Sequence, residues 1–342
     1  MVKAVILNDT RGDNHFGCFR VMRIIEENLV RRGIAVIGRS LVRNDWERDR
    51  GFLARLSEAD LVVVNGEGTL HHGHRQGERL LRIAEHPARG QKPVALINAI
   101  YQENPESWKK HLDRIDLIST RDSQSATEIS RLTGHKCGFV PDLSLAEGAI
   151  ASPGIPRTRL LIGDSVETKT RLALRALTDL DPDAKFLPIL KGLKPSKPHH
   201  PTPFRQLRES YIWLNARYSQ WRHGNIEFNR DEAGFIRSLT SARLHVTGRF
   251  HAVCFCLATG TPFLAVESNS WKMGALLEDF GLGNNRIVPV GQIRARLTSG
   301  EDFAFTAEEK VRIAAGLERC KQGAADLFDR IAALVHAERR VA

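Results

Sequence analysis

The segment Thr247-Gly248-Arg249-Phe250-His251-Ala252-Val253 sets a guanidinium and an imidazole two residues apart, directly after the apolar run 244–246. If that run is a strand, Arg249 and His251 fall on the first turn of the following helix. There the helix dipole, backbone N–H groups and the guanidinium converge on one anion. The chemistry expected is recognition of a carboxylate or phosphate, with His251 able to move a proton. A second apolar run, 262–266, leads into Glu267-Ser268-Asn269-Ser270-Trp271-Lys272. It places Asn269 in the turn and Lys272 at the next helix start, a further cation for the same anion.

Two loops in the first half could supply the complementary groups. Asn8-Asp9-Thr10-Arg11-Gly12-Asp13-Asn14-His15-Phe16-Gly17 follows the apolar run 3–7 and precedes a helical pattern. It is neither Gly-x-Gly-x-x-Gly nor a P-loop, so those nucleotide devices are not in play. Asp13 and His15 either meet a substrate or cap the helix. Asn65-Gly66-Glu67-Gly68-Thr69 follows the run 61–64. Gly66 and Gly68 allow a sharp turn and close approach of a ligand, with Asn65 beside them. Glu67 between them is a candidate base toward a hydroxyl, the alternative being an exposed turn residue. His71-His72-Gly73-His74 has no cysteine in attendance and is read as structural or acceptor-side, so no metal is expected.

These loops need strands to hold them. The runs 3–7, 35–37, 61–64, 94–97 and 117–119 alternate with helical patterns at 17–32, 106–112 and 123–132, and Gly33 stands ready to stop the first helix. The small-residue and proline stretch 149–156 reads as a linker, after which the runs 160–162, 186–190, 244–246 and 263–266 resume the alternation. The expected fold is α/β, with two facing Rossmann-like domains of parallel sheets across a cleft, ligands lying beyond the carboxyl ends of the strands. The expected division is 1–150 as an acceptor-side domain and 151–305 as a donor-anion domain. Residues 306–342 form a helix packing back on the first.

The chain has 342 residues, suited to two domains, with 42% hydrophobic and 26% charged residues. No secretory signal or run long enough to span a bilayer is present, and five cysteines without Cys-x-x-Cys spacing point to a cytoplasmic protein. Cys254 and Cys256 read as small core residues. The net charge of +10 suits an acidic small substrate or an anionic membrane surface; the scattered basic residues and lack of a recognition motif argue against nucleic acid. Residues 191–203 read as a proline-rich loop. In 205–221 the series Leu207, Tyr211, Leu214, Tyr218, Trp221 repeats at 4-3-4-3 spacing, one stripe of a helix. The simpler reading packs that stripe on its own domain, the other turns it to an acceptor or a membrane.

Taken in order, several segments resemble the polysaccharide pyruvyl transferase family. They are Gly12-Asp13, Asn65-Gly66-Glu67-Gly68, Arg121-Asp122-Ser123-Gln124-Ser125, Asp142, Gly248-Arg249-Phe250-His251, Gly260-Thr261-Pro262-Phe263 and Lys272. The order holds from the first strand to the helix after Lys272. Glu67 stands where that family commonly has glycine, and Phe250 where it has leucine. The resemblance implies a GT-B-like pair of domains and transfer of pyruvate from phosphoenolpyruvate to sugar hydroxyls as a ketal, with no cofactor. It implies that Arg249 and His251, with Arg121 as a further candidate, bind the donor's phosphate or carboxylate, and that Glu67 or Asp13 takes the hydroxyl proton. The acceptor would be a glycan or lipid-linked oligosaccharide of surface-polysaccharide biosynthesis, met at the cytoplasmic face of the inner membrane. Two other readings stay open on the same residues: a GT-B glycosyltransferase with a nucleotide-sugar donor, and a glycan-binding protein without turnover.

Overall fold

A computed structural model describes residues 1–151, 154–190, 200–267 and 270–338. Asn269 and residues 191–199 of the proline-rich segment lie outside the described residues. The chain divides into two compact units. One comprises Met1–Arg11, Val21–Ala146 and the chain from Arg319 on; the other comprises Gly12–Arg20 and Glu147–Glu318.

The first unit runs β1 (Val2–Asp9), α1 (Phe16–Arg31), β2 (Ile34–Leu41), α2 (Arg50–Glu58), β3 (Leu61–Asn65), α3 (Arg75–Leu81), β4 (Val94–Ala99), α4 (Lys109–Leu112), β5 (Leu117–Thr120), α5 (Ser123–Thr133) and β6 (Gly138–Phe139). All strand pairs are parallel, in the order β2-β1-β3-β4-β5-β6. A parallel sheet must be covered on both faces, and the apolar residues of its central strands divide accordingly. Ala4, Ile6, Leu61, Val63, Ala95 and Ile97 meet Val21, Met22 and Ile25 of α1 on one face. Val5, Leu7, Val62, Val64 and Leu96 meet Phe52 and Leu56 of α2 on the other.

The second unit runs β7 (Arg159–Ser165), α6 (Thr168–Ala176), β8 (Lys185–Phe186), α7 (Thr202–His223), α8 (Glu232–Thr240), β9 (Ala242–Gly248), α9 (Phe250–Thr259), β10 (Phe263–Ala265), α10 (Lys272–Asp279), α11 (Ile293–Thr298) and α12 (Ala307–Glu338). Its sheet is also parallel, ordered β10-β9-β7-β8. Helix α9 is buried along its whole length, which makes Cys254 and Cys256 core residues with free thiols. The later part of α12 belongs to the first unit, where Phe328, Ile331 and Val335 join the α1 face of the sheet. No described helix is long and apolar enough to cross a membrane.

The alternation is therefore parallel β/α in both halves, with two local differences from the sequence pattern. The run 186–190 contributes only Phe186 to a strand. Leu187 still donates to the Ile162 carbonyl, but Ile189 and Leu190 turn aside to pair with Phe16 and His15. Helix α2, which the apolar pattern does not announce, is set by its cap. The Asp49 carboxylate accepts from the Phe52 N–H, and only Phe52 and Leu56 are buried, too few positions to show a helical period.

Two outcomes follow. Phe328→Ala empties a fully buried aromatic site beneath the first sheet and is expected to destabilise that unit by about 3–5 kcal/mol, read as an earlier denaturant transition. His245, wholly buried in β9, has its imidazole pushed down to about 4 by desolvation, the Leu161 backbone pulling weakly the other way. The unfolded imidazole, at its ordinary 6.5, takes up a proton that the folded one refuses. Stability is thus lost as pH falls from 6.5 toward 4. His245→Leu should flatten that part of the stability–pH profile in chemical denaturation; an unchanged slope would refute the assignment.

Candidate functional site

Each sheet has one place where consecutive strands diverge to opposite sides of the first. In the first unit β1 is followed by β2 on one side and β3 on the other, so the switch lies between the carboxyl ends of β1 and β3. In the second, β8 and β9 flank β7, and the switch lies between β7 and β9. Such crevices are where open α/β sheets take ligands.

At the second switch, Ser165 of β7 is in register with Gly248 of β9. Their backbones are so close that a Cβ on Gly248 would come within 2.7 Å of the Ser165 Cβ, which is why glycine stands there. Arg249 is the N-cap of α9, with extended backbone, and its own N–H donates to Thr247 Oγ1 at 3.1 Å. Its guanidinium is aimed by Asp164: Nε and Nη2 donate to the same carboxylate oxygen at 2.8 and 2.7 Å. Asp164 is itself fixed, its other oxygen accepting from the Ile189 N–H at 3.1 Å. Charge-assisted bonds to one buried carboxylate hold the guanidinium at the strand ends more firmly than a solvated arginine could be held.

His251, in the first turn of α9, is buried with its ring 5.1 Å from that of His15 in an edge-on contact. Between them lies Gly17, where a Cβ would fall 2.3 Å from the His251 Cβ and Cγ. The early loop thus delivers His15 to the Arg249–His251 motif within this unit. Arg20, buried in α1, is fixed there by Glu147 and Glu232 at 2.6 and 2.5 Å. Asp13 is partly exposed in the single turn Thr10–Asp13, and Lys272 begins α10.

His15, Cys18 and His251 place their ligand atoms within 4.8 Å of one another, the one such cluster among the described residues. The Gly17 N–H donates to His15 Nδ1 at 3.1 Å. That contact engages the His15 Nδ1 lone pair with the backbone. The other histidine cluster joins a buried His71 to exposed His72 and His74 through ring contacts, and His72 Nδ1 lies 2.9 Å from Glu103.

At the first switch the Asn65-Gly66-Glu67-Gly68 turn is pressed against β4, since a Cβ on Gly66 would lie 2.5 Å from the Ala99 Cβ. Glu67 is only 6% exposed, not the exposed turn residue one reading of the sequence allowed. Its Oε2 accepts from the Thr10 hydroxyl at 2.8 Å and from Asn65 Nδ2 at 3.2 Å. Asn8, at φ 64°, donates to the Asn65 carbonyl and the Thr69 hydroxyl, closing the loop ends. A buried carboxylate with two donors on one oxygen is held in a fixed direction. Arg121, in the same unit, is 3% exposed and 3.6 Å from Asp142. The neighbouring Asp122 caps α5 through the Ser125 N–H and hydroxyl, and the Ser125 hydroxyl accepts from the Tyr101 N–H.

Sequence reasoning had not singled out Asp164, Thr10 or Asn8. Asp164 follows the apolar run of β7 as Arg249 follows that of β9, and the strand-end rule applied to both would have found it.

The polysaccharide pyruvyl transferase family model matches residues 9–270, most of the chain, and the protein belongs to that family. No curated protein sequence matches it. Among solved structures it is similar to UDP-GlcNAc 2-epimerase from Neisseria meningitidis bound to UDP-GlcNAc. The TM-score is 0.56 at 11% identity, covering 96% of this chain and 99% of that one. It is also similar to the S. aureus MnaA–UDP structure, with TM-score 0.54 and 12% identity, covering 95% and 94%. At that identity the likeness establishes the GT-B-like fold alone.

The close approach at Gly17 gives a direct test. Gly17→Ala is expected to displace His251 and to cost about 1–3 kcal/mol of stability in thermal melts. Gly291→Ala, where a Cβ meets nothing within 4 Å, should change stability by less than about 0.5 kcal/mol.

Proposed function

We propose that this member of the pyruvyl transferase family moves the enolpyruvyl unit of phosphoenolpyruvate onto two hydroxyls of a sugar, releasing inorganic phosphate and leaving a pyruvate ketal. The observation that carries the reading is the Asp164-anchored guanidinium of Arg249 at the start of α9, with the His15–His251 pair alongside. A cation fixed at a helix N-terminus suits the donor's phosphate or carboxylate. Lys272 and Gly248 extend the same anion-binding face, and Asn269 and Arg121 remain candidates for the donor.

The steps balance without a cofactor. One hydroxyl oxygen bonds to C2 of the donor while C3 gains a proton and becomes a methyl group. The second hydroxyl then bonds to C2 as the C2–O bond to phosphate breaks. Two hydroxyl protons are released, one ending on C3 and the other on phosphate. Glu67, steadied by Thr10 and Asn65, is assigned to take a hydroxyl proton, and Asp13 is the alternative carboxylate for that step. His251 delivers a proton to the departing phosphate, and Arg249 balances the charge that grows on it. Asn65, Gly66 and Gly68 shape the acceptor turn. The acceptor class that fits is a glycan or lipid-linked oligosaccharide of surface-polysaccharide assembly, encountered in the cytoplasm.

A nucleotide-sugar donor is the competing assignment, since the similar epimerase structure holds UDP-GlcNAc on the same fold. Phosphate release from phosphoenolpyruvate in the presence of acceptor glycans decides between them. The expected result is glycan-dependent phosphate release that falls by about 10²–10³-fold in Arg249→Ala. Thermal stabilisation by UDP-sugars with none by phosphoenolpyruvate would sink the proposal, as would glycan binding with no turnover of either donor.

A further inference from the structure

Among the described residues of the second unit, helix α7 is a long helix whose apolar side is turned outward. Of its 22 residues only Ile212 is buried. Phe204, Leu207, Tyr211, Leu214, Tyr218 and Trp221 are between 53% and 80% exposed. At about 100° per residue they fall within an arc of roughly 100°, one unbroken stripe, and Ile212 lies well outside that arc. The periodicity seen in the sequence is real, but the stripe does not pack on its own unit as the simpler reading held. Ile212 fastens the helix and the stripe is left to solvent.

The flanks of the stripe are basic. Arg208, Arg217 and Arg222 lie at its edges, Arg205 falls on the side of Ile212, and the helix has a single carboxylate, Glu209. Two of the guanidiniums lie over aromatic faces of the helix, Arg208 over Tyr211 at 5.5 Å and Arg217 over Trp213 at 5.3 Å. Trp, Tyr, Phe and Leu on one face with arginines along its edges is the composition of a helix lying in a bilayer interface. The aromatic rings would sit at the level of the acyl–headgroup boundary while the arginines reach lipid phosphates. A second copy of the chain is disfavoured by charge, because stripe-to-stripe pairing sets three arginines against three across a low-dielectric contact. We propose that α7 docks this protein on the surface of an anionic lipid bilayer, the helix lying flat and without spanning it. The inference does not depend on the donor assigned above.

The test uses the full chain and sedimentation with vesicles of phosphatidylcholine alone or with phosphatidylglycerol added. The parent should sediment with anionic vesicles, less as salt rises, and little with neutral ones. Arg217→Gln/Arg222→Gln should lower anionic-vesicle affinity by about fivefold per charge removed. Leu207→Gln/Leu214→Gln/Trp221→Gln should abolish sedimentation with both lipids. Because every substituted residue is exposed, all variants should melt with the parent, which separates lost docking from lost folding. Absence of vesicle binding by the parent would overturn the proposal, and so would binding that survives the triple substitution. Concentration-dependent self-association that the triple substitution removes, without vesicle binding, would instead assign the stripe to a second copy and equally overturn it.

Discussion

A parallel sheet covered on both faces leaves its functional groups only one kind of place to emerge, the carboxyl ends of its strands. That constraint organises this chain twice. The central strands are spent on burial: Leu61, Val62 and Val63 are fully enclosed, as are Ala95, Leu96 and Ile97 beside them. Polar chemistry therefore begins where the strands stop, at Asn8–Thr10 and Asn65–Glu67 in one unit and at Asp164–Ser165 and Gly248–Arg249 in the other. Both pairs of loops lie where the strand order reverses, so the backbone diverges and room for a ligand is created without opening the core.

Groups confined to such places are partly desolvated, and each charged one must be held by others. Arg249 is held by Asp164, Arg20 by Glu147 and Glu232, and the Glu67 carboxylate by a hydroxyl and an amide. The difference in partners separates their chemistry. A guanidinium bridged to a carboxylate keeps its direction and still presents N–H donors, which suits an anion that arrives and leaves. A carboxylate steadied by a hydroxyl and an amide repels an anion and accepts from a hydroxyl, which is why Glu67 is proposed for the acceptor.

The strands and the strand-end loops were legible because central parallel strands are continuous apolar runs, and glycines mixed with polar residues directly after such a run mark the point where the backbone leaves the sheet. Arg249 and His251 were found that way. Asp164 stands at a strand end by the same rule, but only the fold shows that it holds a guanidinium 85 residues away. Nor could spacing reveal that Gly12–Arg20 groups with the C-terminal unit, since the contacts responsible join His15 to His251 and Phe16 to Phe235. The short helices α2 and α3 carry too few buried positions for a period to show. The family resemblance supplied the order of the motifs. The physical reading supplied which members do what: Asp122 and Ser125 of one motif turn out to cap a helix and tie down Tyr101.

Helix α7 marks the limit of pattern reading most clearly. A 4-3-4-3 series of apolar residues specifies a helix with one apolar side, and nothing in the series says whether the rest of the chain covers that side. What decides is the other face, where a single Ile212 is enough to anchor the helix while three arginines border the stripe. A helix whose own fold declines its apolar side, and whose charges oppose a copy of itself, is built to find a third surface. An anionic bilayer is a surface of that kind, apolar below its headgroups and negative at them.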